Sequence, residues 1–205
     1  TNGKSGHILL STGSTNSPSF DSGNVFFVTG DSTAAGVGTH SGDIVVSTGD
    51  TNTEASNAGT VSLKGGDASG NDGTGGNIAL TAGAGKNTDS NDGGIGGSVS
   101  ITGGRTYDGS ETAEVGGAVL ITGGRAESST GGDITVSSGT SGATTSGQVT
   151  IQTVDSYTGS GASGKILLQT GDAFDTTAAD GTAGDIVLST GAATSGTGGG
   201  VQVTA

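Results

Sequence analysis

Gly42-Asp43-Ile44-Val45-Val46-Ser47-Thr48-Gly49 is the stretch whose reading decides the fold. Ile44 and Val46 lie two residues apart. That is strand spacing, because successive side chains of a strand alternate between its two faces while a helix repeats every three to four residues. The phrase returns twelve times, from Gly6-His7-Ile8-Leu9-Leu10 to Gly200-Val201-Gln202-Val203, where the polar second residue is missing. Its first apolar position is Ile8, Val25, Ile44, Val61, Ile78, Val99, Val119, Ile134, Val149, Ile166, Ile186 and Val201. Its second is Leu10, Phe27, Val46, Leu63, Leu80, Ile101, Ile121, Val136, Ile151, Leu168, Leu188 and Val203. β-Branched residues at the first position suit a pleated, half-buried surface.

Two residues further on stands a small or hydroxylated residue (Thr12, Thr29, Thr48, Gly65, Ala82, Gly103 and so on), followed by Gly in ten of eleven copies, Val154 being the exception. A glycine at a fixed offset after a strand reads as a corner that needs positive φ.

Copies start 15 to 21 residues apart, which leaves links of 7 to 13 residues rich in Gly, Ser, Thr, Asp and Ala. A hairpin needs only about two to five linking residues. Seven extended residues span about 23 Å, which is what a return path to the same sheet edge requires. The sequence therefore predicts an all-β protein, a parallel β-solenoid of about twelve short strands with one strand per 15–21 residue repeat. A two-sheet solenoid with two repeats per coil is the alternative, because its facing apolar columns make a drier core. An antiparallel sandwich ranks third on link length. The expected core is Ile8, Leu10, Val25, Phe27, Ile44, Val46, Ile101, Ile121, Ile151, Ile166, Leu168, Ile186 and Leu188. Residues 1–205 read as one repeat domain with uncapped ends, either a piece of a longer array or a unit that adds end to end.

Composition narrows the function. The chain has 205 residues, 45 Gly, 1 Pro and a net charge of −13. Phased Ile and Val argue against the disorder that such a glycine content would otherwise indicate. Nucleic acid and anionic membrane surfaces are disfavoured by charge, and no apolar run is long enough to span a bilayer. With no Cys there is neither a disulfide framework nor a thiolate metal site. None of the Asn residues begins an N-x-Ser/Thr sequon despite abundant Ser and Thr, which fits either a chain that avoids glycosylation outside the cell or chance in a small sample of Asn.

Outward positions form columns. Leu9, Phe26 and Val45, with Val28, make an apolar patch, and Val201 and Val203 end the last phrase; these six are interface candidates. Thr81, Thr102 and Thr122 form a short threonine rank of the kind that meets ice. Asp31, Asp50 and Asp67 follow one another just after the corner glycine and are the candidate calcium ligands, since calcium takes carboxylate oxygens. Further acids (Asp89, Asp92, Asp108, Glu111, Glu114) lie in links. Gly159-Ser160-Gly161-Ala162-Ser163-Gly164-Lys165 imitates a phosphate loop, but it leads into a strand and is followed by Ile166 instead of Ser or Thr. No constellation of nucleophile, base and orienting group is present, so no enzyme and no cofactor is expected.

The phrase Gly-x-Ile/Val-x-Leu-x-Thr-Gly with Ser/Gly/Thr/Asp-rich links resembles the long tandem repeats of secreted or surface proteins, especially of unicellular algae, and the stalks of bacterial adhesins. The resemblance runs from Gly6 to Ala205. It implies an extracellular or cell-surface structural role: a non-enzymatic rod in a filament, sheath or stalk whose partner is another copy of itself. The competing reading is a surface-binding module for ice or a carbohydrate, using outward Thr with Tyr107 and Tyr157.

Overall fold

A computed structural model describes residues 6–16, 20–33, 40–52, 56–86, 93–106, 115–156, 161–174 and 181–204, which include all twelve phrases. The chain divides into two units, Thr1–Thr102 and Gly103–Ala205. Among the described residues there is no helix and no strand. None of them forms a helix long and apolar enough to cross a membrane.

The parallel β-solenoid is therefore corrected, and its two-sheet alternative with it. The described residues form no sheet and no coil stack. The residues expected to face inward do not line an interior. No hydrophobic side chain among the described residues is buried, and Ile8, Leu10, Val25, Phe27, Ile44, Val46, Ile101, Ile121, Ile151, Ile166, Leu168, Ile186 and Leu188 are all exposed. The surface area gives the scale. A folded monomer of 19.1 kDa has about 8,400 Å² of accessible surface and its unfolded chain about 28,000 Å². This chain exposes 20169 Å², nearer the unfolded value.

Link geometry supplies the physical reason. A coil of one repeat needs each link to carry the chain back by about one strand length, some 23 Å. Instead six of the eleven links are closed at their ends by a backbone hydrogen bond. The N–H of Gly76 donates to the Gly66 carbonyl at 2.8 Å, Gly97 to Gly83 at 2.9 Å, Gly117 to Gly104 at 2.7 Å, Gly132 to Gly124 at 2.8 Å, Gly147 to Gly139 at 2.9 Å and Gly199 to Gly191 at 3.0 Å. In each case the donor heads one phrase and the acceptor is the glycine that ends the phrase before it. These six links are thus closed at their ends and do not serve as return paths.

Exposure within a phrase is graded. First apolar residues from Val25 to Val201 are 45–58% exposed, and second ones from Leu10 to Leu188 are 65–74% exposed. Ile8, with no phrase before it in this sequence, is fully exposed at 100%, and Val203, with none after it, at 91%. Neighbouring phrases thus shade each other through the loop bases without enclosing anything.

Candidate functional site: the loop bases

The recurring structure of this chain is the base of each link, where the small residue of one phrase meets the leading glycine of the next. In the first unit Thr12 lies against Gly23, Thr29 against Gly42, Thr48 against Gly59, Gly65 against Gly76 and Ala82 against Gly97. In the second unit Gly103 lies against Gly117, Gly123 against Gly132, Ser138 against Gly147, Thr153 against Gly164, Thr170 against Gly184 and Thr190 against Gly199. Every junction between phrases has this contact. It also fixes the register of the last phrase: Gly199 holds the leading place, and Gly200, with nothing within 4 Å, stands where the other phrases except that of Ala118 carry a polar residue.

Two versions of the base occur. Where the small residue carries a side chain, that side chain occupies the space beside the leading glycine. A Cβ added to Gly59 would stand 2.9 Å from Thr48 Cβ, and one added to Gly164 would stand 3.2 Å from Thr153 Cγ2. Thr48 also donates its hydroxyl to the Gly59 carbonyl at 3.1 Å. Where the small residue is glycine, the backbones come closer still. A Cβ on Gly65, Gly103 or Gly123 would overlap the carbonyl of Gly76, Gly117 or Gly132 respectively. These tighter bases carry a double glycine on both sides: Gly65-Gly66 with Gly75-Gly76, Gly103-Gly104 with Gly116-Gly117, and Gly123-Gly124 with Gly131-Gly132.

Five of the bases also hold the most covered of the described residues. Among the described residues only Gly65, Ala82, Gly103, Gly123 and Thr170 are less than exposed, and all five hold the small position. The corner glycine has a different role from the one expected. Gly13, Gly30, Gly49, Gly66, Gly83, Gly104, Gly124, Gly139, Gly171 and Gly191 have open space where a Cβ would go, and none has positive φ. Among described glycines only Gly196, at φ 110°, has positive φ. The steric demand falls on the small-position glycines Gly65, Gly103 and Gly123 and on the leading glycines Gly59, Gly76, Gly117 and Gly132, where an added Cβ would stand 2.9–3.0 Å from the preceding phrase.

The residues singled out by sequence lie elsewhere. Asp67 pairs with Lys64 at 2.6 Å, both well exposed, beside the Gly66–Gly76 base. Asp31 and Asp50 are exposed, and no group of three or more His, Cys, Asp or Glu among the described residues could hold a metal ion. A second ion pair, between Arg125 and Glu127 at 2.8 Å, lies outside those candidate residues. Leu9, Phe26, Val28, Val45, Val201 and Val203 are exposed, Phe26 at 78%. Thr81, Thr102 and Thr122 are exposed as well. Tyr107, Tyr157, Asp89, Asp92, Asp108, Glu111, Glu114, Gly159 and Ser160 lie outside the described residues. The described residues enclose no pocket.

No protein-family model, curated protein or solved structure matches the chain.

Proposed function

We propose that this chain is a non-enzymatic structural repeat protein, an extensible spacer within an extracellular or cell-surface filament, sheath or stalk. The observation that carries the reading is the recurrence of the base. At six of the eleven junctions, links of 7, 9, 12 and 13 residues close with the same backbone bond, 2.7–3.0 Å long. At those junctions the phrase-to-phrase connection does not depend on link length, as a spacer requires. Each closed link is also stored length. A link of seven residues drawn out to about 3.4 Å per residue releases about 24 Å, and one of thirteen about 44 Å. A single backbone hydrogen bond contributes about 1 kcal/mol net, so opening one base costs little and leaves its neighbours closed. The charge of −13 favours extension through self-repulsion.

Single-molecule pulling of the full chain tests this. A spacer of independent loops lengthens gradually at low force and recovers its length on relaxation. One abrupt event that releases most of the contour at once would sink the proposal, because it would mean that the bases act as a cooperative core.

A further inference from the structure

We propose that Asp72 is a site of spontaneous backbone isomerisation, where the chain passes from an α-aspartyl to an isoaspartyl linkage. Asp72 lies at the tip of the link Asp67–Gly75, whose base is the Gly76–Gly66 hydrogen bond. Three observations meet there. Asp72 is followed by Gly73, so the attacking backbone nitrogen carries no neighbouring side chain to hinder its approach. The Gly73 N–H is held only by a long bond to the Gly70 carbonyl, 3.3 Å, at the far end of the useful range, and the whole tip is exposed to water. Asp72 itself has φ 59°, and it is the one non-glycine residue with positive φ among those described. Asp adopts that conformation more readily than most residues with a Cβ, but less readily than glycine.

The chemistry needs only water. The Gly73 backbone nitrogen forms a bond to the Asp72 side-chain carbon Cγ. One carboxyl oxygen leaves with two protons as water, one of them from the Gly73 N–H, and a cyclic imide results. Water then adds back to one of the two imide carbonyls. Opening between nitrogen and Cγ restores aspartate. Opening between nitrogen and the main-chain carbonyl carbon leaves the chain running through Cβ and Cγ, with the α-carboxylate as the new branch. One water is lost and one regained, and nothing is oxidised or reduced. The strain of the left-handed conformation is relieved, because that residue no longer has the ordinary φ and ψ restrictions. The added backbone atom lengthens the link slightly. Since six links of 7, 9, 12 and 13 residues close with the same bond, the Gly66–Gly76 bond is expected to tolerate it.

Other Asp-Gly pairs occur at Asp92, Asp108 and Asp180, which lie outside the described residues. The test is specific to one peptide. The full chain is held for weeks at neutral pH and body temperature, then digested with trypsin, which releases Gly65–Lys86. A second form of that peptide with unchanged mass is expected to accumulate, with electron-transfer fragments locating the isoaspartyl at position 72. Asp72→Glu keeps the charge but needs a larger ring, so the second form is expected to be lost. The Gly76 amide is expected to keep the same hydrogen-exchange protection in the aged protein as in the fresh one. A single form throughout, an isomer at Asp67 instead, a second form that persists in Asp72→Glu, or loss of Gly76 protection on ageing each overturns the proposal.

Discussion

The backbone N–H of Gly97 donates to the carbonyl of Gly83 at 2.9 Å, with thirteen residues between them. Gly132 and Gly124 make the same bond at 2.8 Å across seven. Closing a flexible loop costs only about 0.6 kcal/mol more for each doubling of its length. Ends that close a short link therefore close a long one nearly as well. What they need is close approach of two backbones, and glycine allows that on the leading side.

Leading and corner glycines are accordingly predicted to differ on substitution. Gly132→Ala places a Cβ 3.0 Å from the Gly124 nitrogen, whereas Gly124→Ala points a Cβ into open space. Losing the base bond removes about 1 kcal/mol, or about fivefold in protection of the residue 132 amide. Gly124→Ala leaves that protection unchanged or slightly higher, because it reduces the freedom of the open chain. Amide hydrogen exchange followed by NMR distinguishes the two; equal losses would overturn the assignment of the steric demand.

Thr48 is predicted to matter through both its methyl group and its hydroxyl. Thr48→Val keeps the packing against Gly59 and loses the bond to the Gly59 carbonyl, now 3.1 Å. That costs at most about 1 kcal/mol at so exposed a site. Thr48→Ser keeps the bond and loses the Cγ2 contact. The NOE between residue 48 and the Gly59 α-protons should weaken in both variants; full strength in both would show that this base holds without the threonine.

The Lys64–Asp67 pair is predicted to be dispensable. Both side chains are largely in water, and exposed pairs typically contribute about 0.2–1 kcal/mol, less in salt. Lys64→Ala should leave exchange at Gly76 unchanged. A clear increase would mean that the pair helps to close the base it stands beside.

The apolar phrases are predicted to associate once charge is screened. No charged residue interrupts the sequence between Asp21 and Asp31, and Val25, Phe26, Phe27 and Val28 are exposed within it. Such a segment is a template for pairing with another chain, and net charge holds copies apart. Light scattering should rise as salt shortens the screening length from about 10 Å toward about 3 Å. Phe26→Asp should suppress the rise, and Thr135→Asp, at the same register of a less apolar phrase, should not. Equal behaviour of the two variants would remove the special role of residues 25–28.

How much of this was legible can be seen in particular residues. The register was legible: Ile44, Val46, Thr48 and Gly49 repeat at fixed offsets, and the five described residues that are less than exposed all hold the small position. The architecture was not. Period-two alternation states which side chains could share a face, but not whether another strand is there to meet them. Link length was ambiguous for the same reason, since seven residues can span 23 Å or close on themselves. The corner glycine drew attention by its regularity, yet Gly124 faces open space while Gly132 is crowded. The double glycines at 65–66 and 75–76, 103–104 and 116–117, and 123–124 and 131–132 were the overlooked signal. Paired across a link, they mark two backbones in contact.

A base that closes alike over seven residues or thirteen also makes the chain forgiving of copying errors. A repetitive coding sequence gains and loses short segments readily. Here an in-frame gain or loss within a link changes the size of one loop and leaves the neighbouring phrases joined as before. The same event inside a phrase shifts the small residue away from the glycine that should meet it. Length variation between related copies should therefore collect between the corner glycine and the next leading glycine, and the eight residues of the phrase itself should keep their count.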